Sequence, residues 1–195
     1  SINFITKNDD DKDFCDLTAF TLVFWIKFFG VPYNTVSEYC AILTLNSNTY
    51  LAYQRTKNYL VLIENSKTAF EVPNFNNYFG KWIPISIAHY ISNAQNDIYP
   101  NMFTLSVNMT DIPFSTGYEI PSTGIKVTQL QLGYEIIAFF AELSIYSKFI
   151  QGGYGKIRSS GRADDLRFFF KKLYGDTDSS CVNIESDLLT IVSIV

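Results

Sequence analysis

Histidine occurs once in the 195 residues, at His89, and cysteine three times, at Cys15, Cys40 and Cys181. The cysteines are too widely spaced for a Cys-x-x-Cys site, so a zinc centre would be starved of ligands. With one histidine and no Gly-x-Ser-x-Gly motif, a nucleophilic triad lacks its parts as well. Charge is also scarce. Only 17% of residues are charged and the formal net charge is -4, which provides no basic face for a phosphate backbone and argues against nucleic acid as a partner. No stretch approaches the ~20 apolar residues that cross a bilayer, the closest being "LLTIVSIV" at 188–195.

An odd cysteine count leaves one thiol free or paired outside the chain. In a secreted protein the expected pairing is Cys15 with Cys40, which flank the same early strand region; three reduced, partly buried thiols are the alternative, and both stay open. The chain starts "SINF" without Met and stops on an apolar run, which leads us to expect a processed chain or a piece of a longer one.

Phenylalanine (17) and tyrosine (13) are plentiful, and β-branched residues recur in short runs, a composition that favours strands. In "TAFTLVFWIKFF" (18–29) Phe20, Leu22, Phe24, Ile26 and Phe28 share one face with period two, and the other face carries Thr21, Val23, Trp25 and Lys27. "GVPYN" closes this strand. "CAILTLN", "TYLAYQ", "NYLVLIEN" and "TAFEV" follow at hairpin spacing. "KWIPISIAHY" aligns Ile83, Ile85 and Ile87 with His89, and "MFTLSVN" aligns Phe103, Leu105 and Val107. Each apolar face needs a facing sheet, so the pattern predicts two antiparallel sheets packed as a β-sandwich.

The order of these segments resembles the laminin G-like branch of the concanavalin A-like lectin and glucanase superfamily. Phe20, Thr21 and Trp25 match its Phe-Thr-x-x-x-Trp strand, and Trp82 the tryptophan that opens a central strand. Val107 and Asn108 match its Val-Asn-Gly hairpin, Leu130, Leu132 and Gly133 its Leu-x-Leu-Gly strand, and Leu143, Ile145 and Tyr146 its last strand. The resemblance spans about residues 14–155 and implies a jelly-roll sandwich there, behind an acidic segment at 1–13 ("NDDDKD" at 8–13). Two positions depart from it. Met109 stands where the family usually has Gly, suggesting a longer turn through "TDIP", and Pro84 forfeits a ladder donor, implying a bulge or an edge.

In "AFFAELSIYSKFI" (138–150) the alternation slips by one residue. Leu143 and Ile145 have one parity; Ile136, Ala138 and Phe140 have the other. A β-bulge near Ala141 and Glu142 reconciles them, with Glu142 turned outward in a structural role. Beyond "SSGR" (159–162), Leu166, Phe169, Phe170 and Leu173 follow helical spacing, with Asp164 as cap and Gly175 as stop. A short helix is therefore expected in a C-terminal extension at 156–195.

Retaining glycan hydrolysis on this fold needs two carboxylates on alternate residues of one strand. The Glu-x-Asp-x-Glu pattern of such enzymes is absent, and Glu185 with Asp187 lies beyond the sandwich. His89 has no partner in sequence for acid-base work. No catalytic residue is therefore expected, and the resemblance implies a noncatalytic recognition or adhesion module that binds a glycan or an extracellular protein. Such a module would belong to a longer extracellular or cell-surface chain; the alternative is a structural subunit of a surface assembly. Two loops carry the amide, carboxylate and aromatic groups of a sugar site: Asn93, Asn96, Asp97, Tyr99 and Asn101 in "SNAQNDIYPN", and Asn76, Asn77 and Tyr78 in "NFNNYFG". By analogy with the family the two would share one rim, with calcium as a candidate organiser and no other cofactor. "NMT" makes Asn108 a glycosylation acceptor in a secreted chain.

Overall fold

A computed structural model describes residues 2–4, 19–91, 101–128, 130–146, 149 and 191–194. It is all-β, two six-stranded antiparallel sheets packed as a sandwich. The strands are β1 (Ile2–Phe4), β2 (Ala19–Gly30), β3 (Tyr39–Asn46), β4 (Thr49–Gln54), β5 (Tyr59–Glu64), β6 (Lys67–Val72), β7 (Trp82–Tyr90), β8 (Met102–Val107), β9 (Thr110–Ile112), β10 (Leu130–Leu132), β11 (Ile137–Tyr146) and β12 (Ile191–Ile194). One sheet runs β1-β10-β3-β4-β5-β6 and the other β12-β11-β2-β7-β8-β9. β1 and β12, which lie outside the expected limits of 14 and 155, form one edge of each sheet. The expected helix and the acidic run at 8–13 lie outside the described residues.

The core follows the predicted alternation. Phe20, Leu22, Phe24, Ile26 and Phe28 of β2 are all buried, and they meet Leu51, Tyr53, Leu60 and Leu62 of the facing sheet in one cluster. Ile83, Ile85 and Ile87 of β7 join them, as do Phe103, Leu105 and Val107 of β8. Where two apolar neighbours must both point inward, a strand carries an extra residue. The β3–β4 register shifts twice, between Ala41 and Leu43 and again between Thr44 and Asn46, so Cys40, Ile42, Leu43 and Leu45 are all buried.

The bulge expected in β11 is present. Ala141 pairs with Trp25 but Ser144 pairs with Val23, and Glu142 sits between them with φ 53°. The slip lets Phe140 and Leu143 both pack on the core. Glu142 is not turned freely outward, however: it is half-buried, and its Oε2 is shielded from solvent. Pro84 occupies an edge rather than a bulge. It faces Trp25 with unbroken register, the β8 ladder begins only at Ile85, and the Pro84 carbonyl accepts the Asn108 N–H at 2.8 Å.

The longer turn expected after Asn108 does not form. Val107 pairs with Thr110 across a two-residue turn in which Asn108 and Met109 both have positive φ, 50° and 65°. Hairpin twist demands that conformation, and Met109 adopts it although a side chain there is strained. Cys40 is a free, buried thiol whose Sγ lies 3.7 Å from the Ser37 carbonyl oxygen, and burial raises its pKa. Cys15, its expected partner, lies outside the described residues, as does Cys181.

Candidate recognition surface at one end of the sandwich

Antiparallel topology sorts the connections to two ends. At one end, called here the Tyr33 end, lie the links β2–β3 (31–38), β4–β5 (55–58), β6–β7 (73–81), β8–β9 (108–109) and β10–β11 (133–136). At the other, the His89 end, lie the turns at 47–48 and 65–66, the start of the β7–β8 link, and the segment entering β10. Nine large apolar side chains are exposed among the described residues. Eight of them, Phe29, Tyr33, Val36, Tyr39, Trp82, Met109, Tyr134 and Ile137, belong to the connections or strand termini of the Tyr33 end. The ninth, Phe114, bridges to β6 and stacks on Phe70 and Tyr118.

These side chains stand on a braced floor. The connection 73–81 forms a 3-10 turn over Phe75–Tyr78, entered through Asn74 in the left-handed region, and drops Phe75 into the core. There Phe28, Tyr53, Phe75 and Phe79 make a plug, with ring centroids 5.1 Å apart for Phe28–Tyr53 and Phe28–Phe79 and 5.7 Å for Phe28–Phe75. The Tyr53 hydroxyl donates to Asn58 Oδ1 at 2.6 Å, and the Phe75 N–H to the Asn58 carbonyl at 2.8 Å. The loop 31–38 is clamped onto the 55–58 turn: Arg55 donates from its guanidinium to the Thr35 carbonyl and from its N–H to the Glu38 carbonyl, and the Thr56 hydroxyl donates to the Glu38 carboxylate. Tyr33 and Val36 are therefore held out on an anchored loop. Lys27, paired with Trp82 across the strands, lies over the Phe29 ring at 5.7 Å, and Phe29 meets Phe139 edge-on at 5.4 Å.

Of the site residues expected from sequence, Asn76 and Asn77 are exposed at this end, while Tyr78 is half-buried against Phe75. Asn101 is half-buried at the opposite end, beside the Tyr90–Met102 pair. Asn93, Asn96, Asp97 and Tyr99 lie outside the described residues. Among the described residues, Asn76 and Asn77 precede β7 and Asn101 follows it, and a nine-residue strand at ~3.3 Å per residue holds its ends about 26 Å apart. Asn108 is exposed at the tip of the β8–β9 hairpin, also at the Tyr33 end.

Sequence reasoning missed Tyr33, Val36, Tyr134 and the outward Trp82. "GVPYN" was read for its turn residues alone, although an aromatic ring inside a Pro-Asn turn has no strand to bury it. Trp82 has the parity opposite to Ile83, Ile85 and Ile87, so its outward position was legible.

His89 lies at the other end and is fully buried, stacked on Phe20 and edge-on to Phe103, with Nε2 accepting the Ile125 N–H at 3.2 Å. Desolvation lowers its pKa to about 4, and among the described residues Nδ1 has no hydrogen-bond partner. Glu64 is also buried there, beside Asn65 and 3.5 Å from the Tyr118 hydroxyl. Desolvation raises the pKa of both Glu64 and Tyr118. Among the described residues no three His, Cys, Asp or Glu side chains are grouped as a metal ion requires, and no helix is long and apolar enough to cross a membrane.

No protein-family model matches the chain, and no curated protein matches it in sequence. Among solved structures, Trypanosoma rangeli sialidase is similar in two complexes. With 2-keto-3-deoxy-D-glycero-D-galacto-2,3-difluoro-nononic acid the TM-score is 0.49 at 11% identity. With 2,3-difluorosialic acid, as the covalent intermediate, it is 0.46 at 11% identity. Each match covers 82% of this chain and 23% of the sialidase chain, so this chain spans under a quarter of that protein. Both likenesses are too distant to bear on the site.

Proposed function

We propose that this chain is a noncatalytic recognition module of the laminin G-like kind, in an extracellular or cell-surface protein, which engages a glycan or a protein through the Tyr33 end. The observation that carries this reading is the segregation of exposed apolar side chains, eight of nine among the described residues at one end. Solvent-facing rings on an anchored floor lose little conformational freedom when a ligand stacks on them, and the exposed Asn76 and Asn77 of the 73–81 connection supply hydrogen-bonding groups at the same end. The buried position of His89 and the tie between Glu64 and Tyr118 support a noncatalytic role, since neither group faces solvent.

A glycan array with and without calcium, repeated with Tyr33→Ala and Trp82→Ala, tests the proposal. Binding that falls at least several-fold in each variant, with stability unchanged, supports it. Binding indifferent to both variants overturns the placement, and turnover of a β-glucan abolished by Glu142→Gln overturns the noncatalytic reading. Oligomers on a sizing column that bind no glycan would favour the structural subunit, for which the same apolar end is the contact surface.

A further inference from the structure

Residues 121–128 cross the His89 end as a strap that touches both sheets. The Gly124 N–H donates to the Pro121 carbonyl at 2.9 Å, and the turn places Gly124, at φ +70°, against His89 of β7 and Ile91 just beyond it. A Cβ at Gly124 would lie 1.7 Å from Ile91 Cδ1 and 3.1 Å from His89 Cε1, so a side chain there would have to displace Ile91 and take a strained φ. Ile125 and Val127 drop into the core. Toward the first sheet, the Thr128 N–H donates to the Leu45 carbonyl at 3.0 Å and Asn46 Nδ2 to the Lys126 carbonyl at 2.6 Å. Toward the second, the Ile125 N–H donates to His89 Nε2. That bond requires the neutral imidazole, with its proton on the unpartnered Nδ1.

We propose that the strap is a pH-sensitive latch: protonation of His89 turns Nε2 into a second donor facing the Ile125 N–H and frees residues 121–128 from β7 while their ties to β3 persist. Phe20 of β2 and Phe103 of β8 enclose the ring and carry no charge. Tyr90 follows it on β7. Lys126 on the strap and Glu119 before it are exposed, and Glu64 is held by Tyr118, whose ring packs on Phe103 at 6.4 Å. The lowered pKa has burial as its cause, so among the described residues none of these charges offsets the cost of a buried imidazolium. The sign follows. With the closed-state pKa near 4 and the ordinary value of 6.5 when open, closure is fully favoured above about pH 6.5 and weakens as pH falls. The open-to-closed ratio should rise up to about ten-fold per pH unit across that window.

The test is hydrogen exchange on the intact chain, corrected for intrinsic rates, at about pH 7 and about pH 4.5. Protection of the Ile125 amide should fall by up to about a hundred-fold relative to those of Leu62 and Ile85, while that of Thr128, tied to Leu45 of β3, holds. His89→Gln keeps a carbonyl acceptor but does not titrate, so it should erase this pH dependence. Should that variant fail to fold, the imidazole nitrogen shifts of the wild-type protein decide: the latch requires the Nδ1–H tautomer at neutral pH and a midpoint below 6.5 that coincides with strap exchange. Equal loss of protection in strap and core, an unchanged profile in His89→Gln, or titration near 6.5 with the strap still protected would each overturn it.

Discussion

At the Tyr33 end the rings divide into a plug of buried Phe28, Tyr53 and Phe75 with half-buried Phe79, and a set left in solvent, whereas at the His89 end Phe20 and Phe103 turn inward around a histidine capped by a strap of backbone. The same alternating strands feed both ends, so the difference lies in the connections. A connection that folds back, like 73–81, buries its aromatic residue; one clamped from the side, like 31–38, leaves Tyr33 and Val36 outside. Burial at the His89 end has a different consequence. It traps ionisable groups, His89 and Glu64, whose preferred charge states then depend on the fold.

Four changes would sharpen or break this contrast. The largest effect is expected for Phe28→Ala, which removes the centre of the plug. It should cost about 3–5 kcal/mol, read from the denaturant midpoint, because a cavity adds to lost burial. A cost below about 1 kcal/mol would mean that the rings above it are not supported by the plug. Glu64→Gln should have a smaller, pH-dependent effect of opposite sign to that of His89. Because burial raises the Glu64 pKa in the folded state, stability due to this group falls as pH rises above the ordinary carboxylate value. Gln keeps an acceptor for Tyr118, so the variant should gain on wild type at neutral pH and lose that advantage in acid, as thermal melts across pH would show. A variant less stable at every pH would show that the charge itself is favoured there.

Met109→Gly should stabilise by about 0.5–1 kcal/mol, since glycine takes φ 65° without the strain that a side chain meets. A fall in Tm would mean that the exposed Met109 side chain has a contact worth more than its strain. Tyr33→Ala should change stability by less than about 0.5 kcal/mol, because the ring is fully exposed. A cost well beyond that would show that Tyr33 braces the loop rather than presenting a surface.

The alternation in residues 18–29 and 102–108 was enough to place the core, and the parity slip in β11 was enough to place a bulge, because both are local consequences of a two-residue period. The joining of β1 and β12 to the sheets was not legible, since three- and four-residue strands carry no pattern and pair only because an edge awaits them. The tight turn at Met109 was misread because strand twist overrode the local preference for glycine. The placement of Asn101 at the end of β7 opposite to Asn76 and Asn77 was not legible either, since a sequence pattern does not say to which end of a strand a distant loop returns.

The positions of β1 and β12 bear on how this protein can be handled. A shortened version trimmed to 14–155 would uncover β10 along one sheet and β11 along the other, each with a row of unsatisfied N–H and C=O groups. Such a fragment has two sticky seams and would stack into oligomers irrespective of its native habit. A sizing column run on it would then report the trimming, and only a chain that keeps both edge strands can distinguish a solitary binder from a building block.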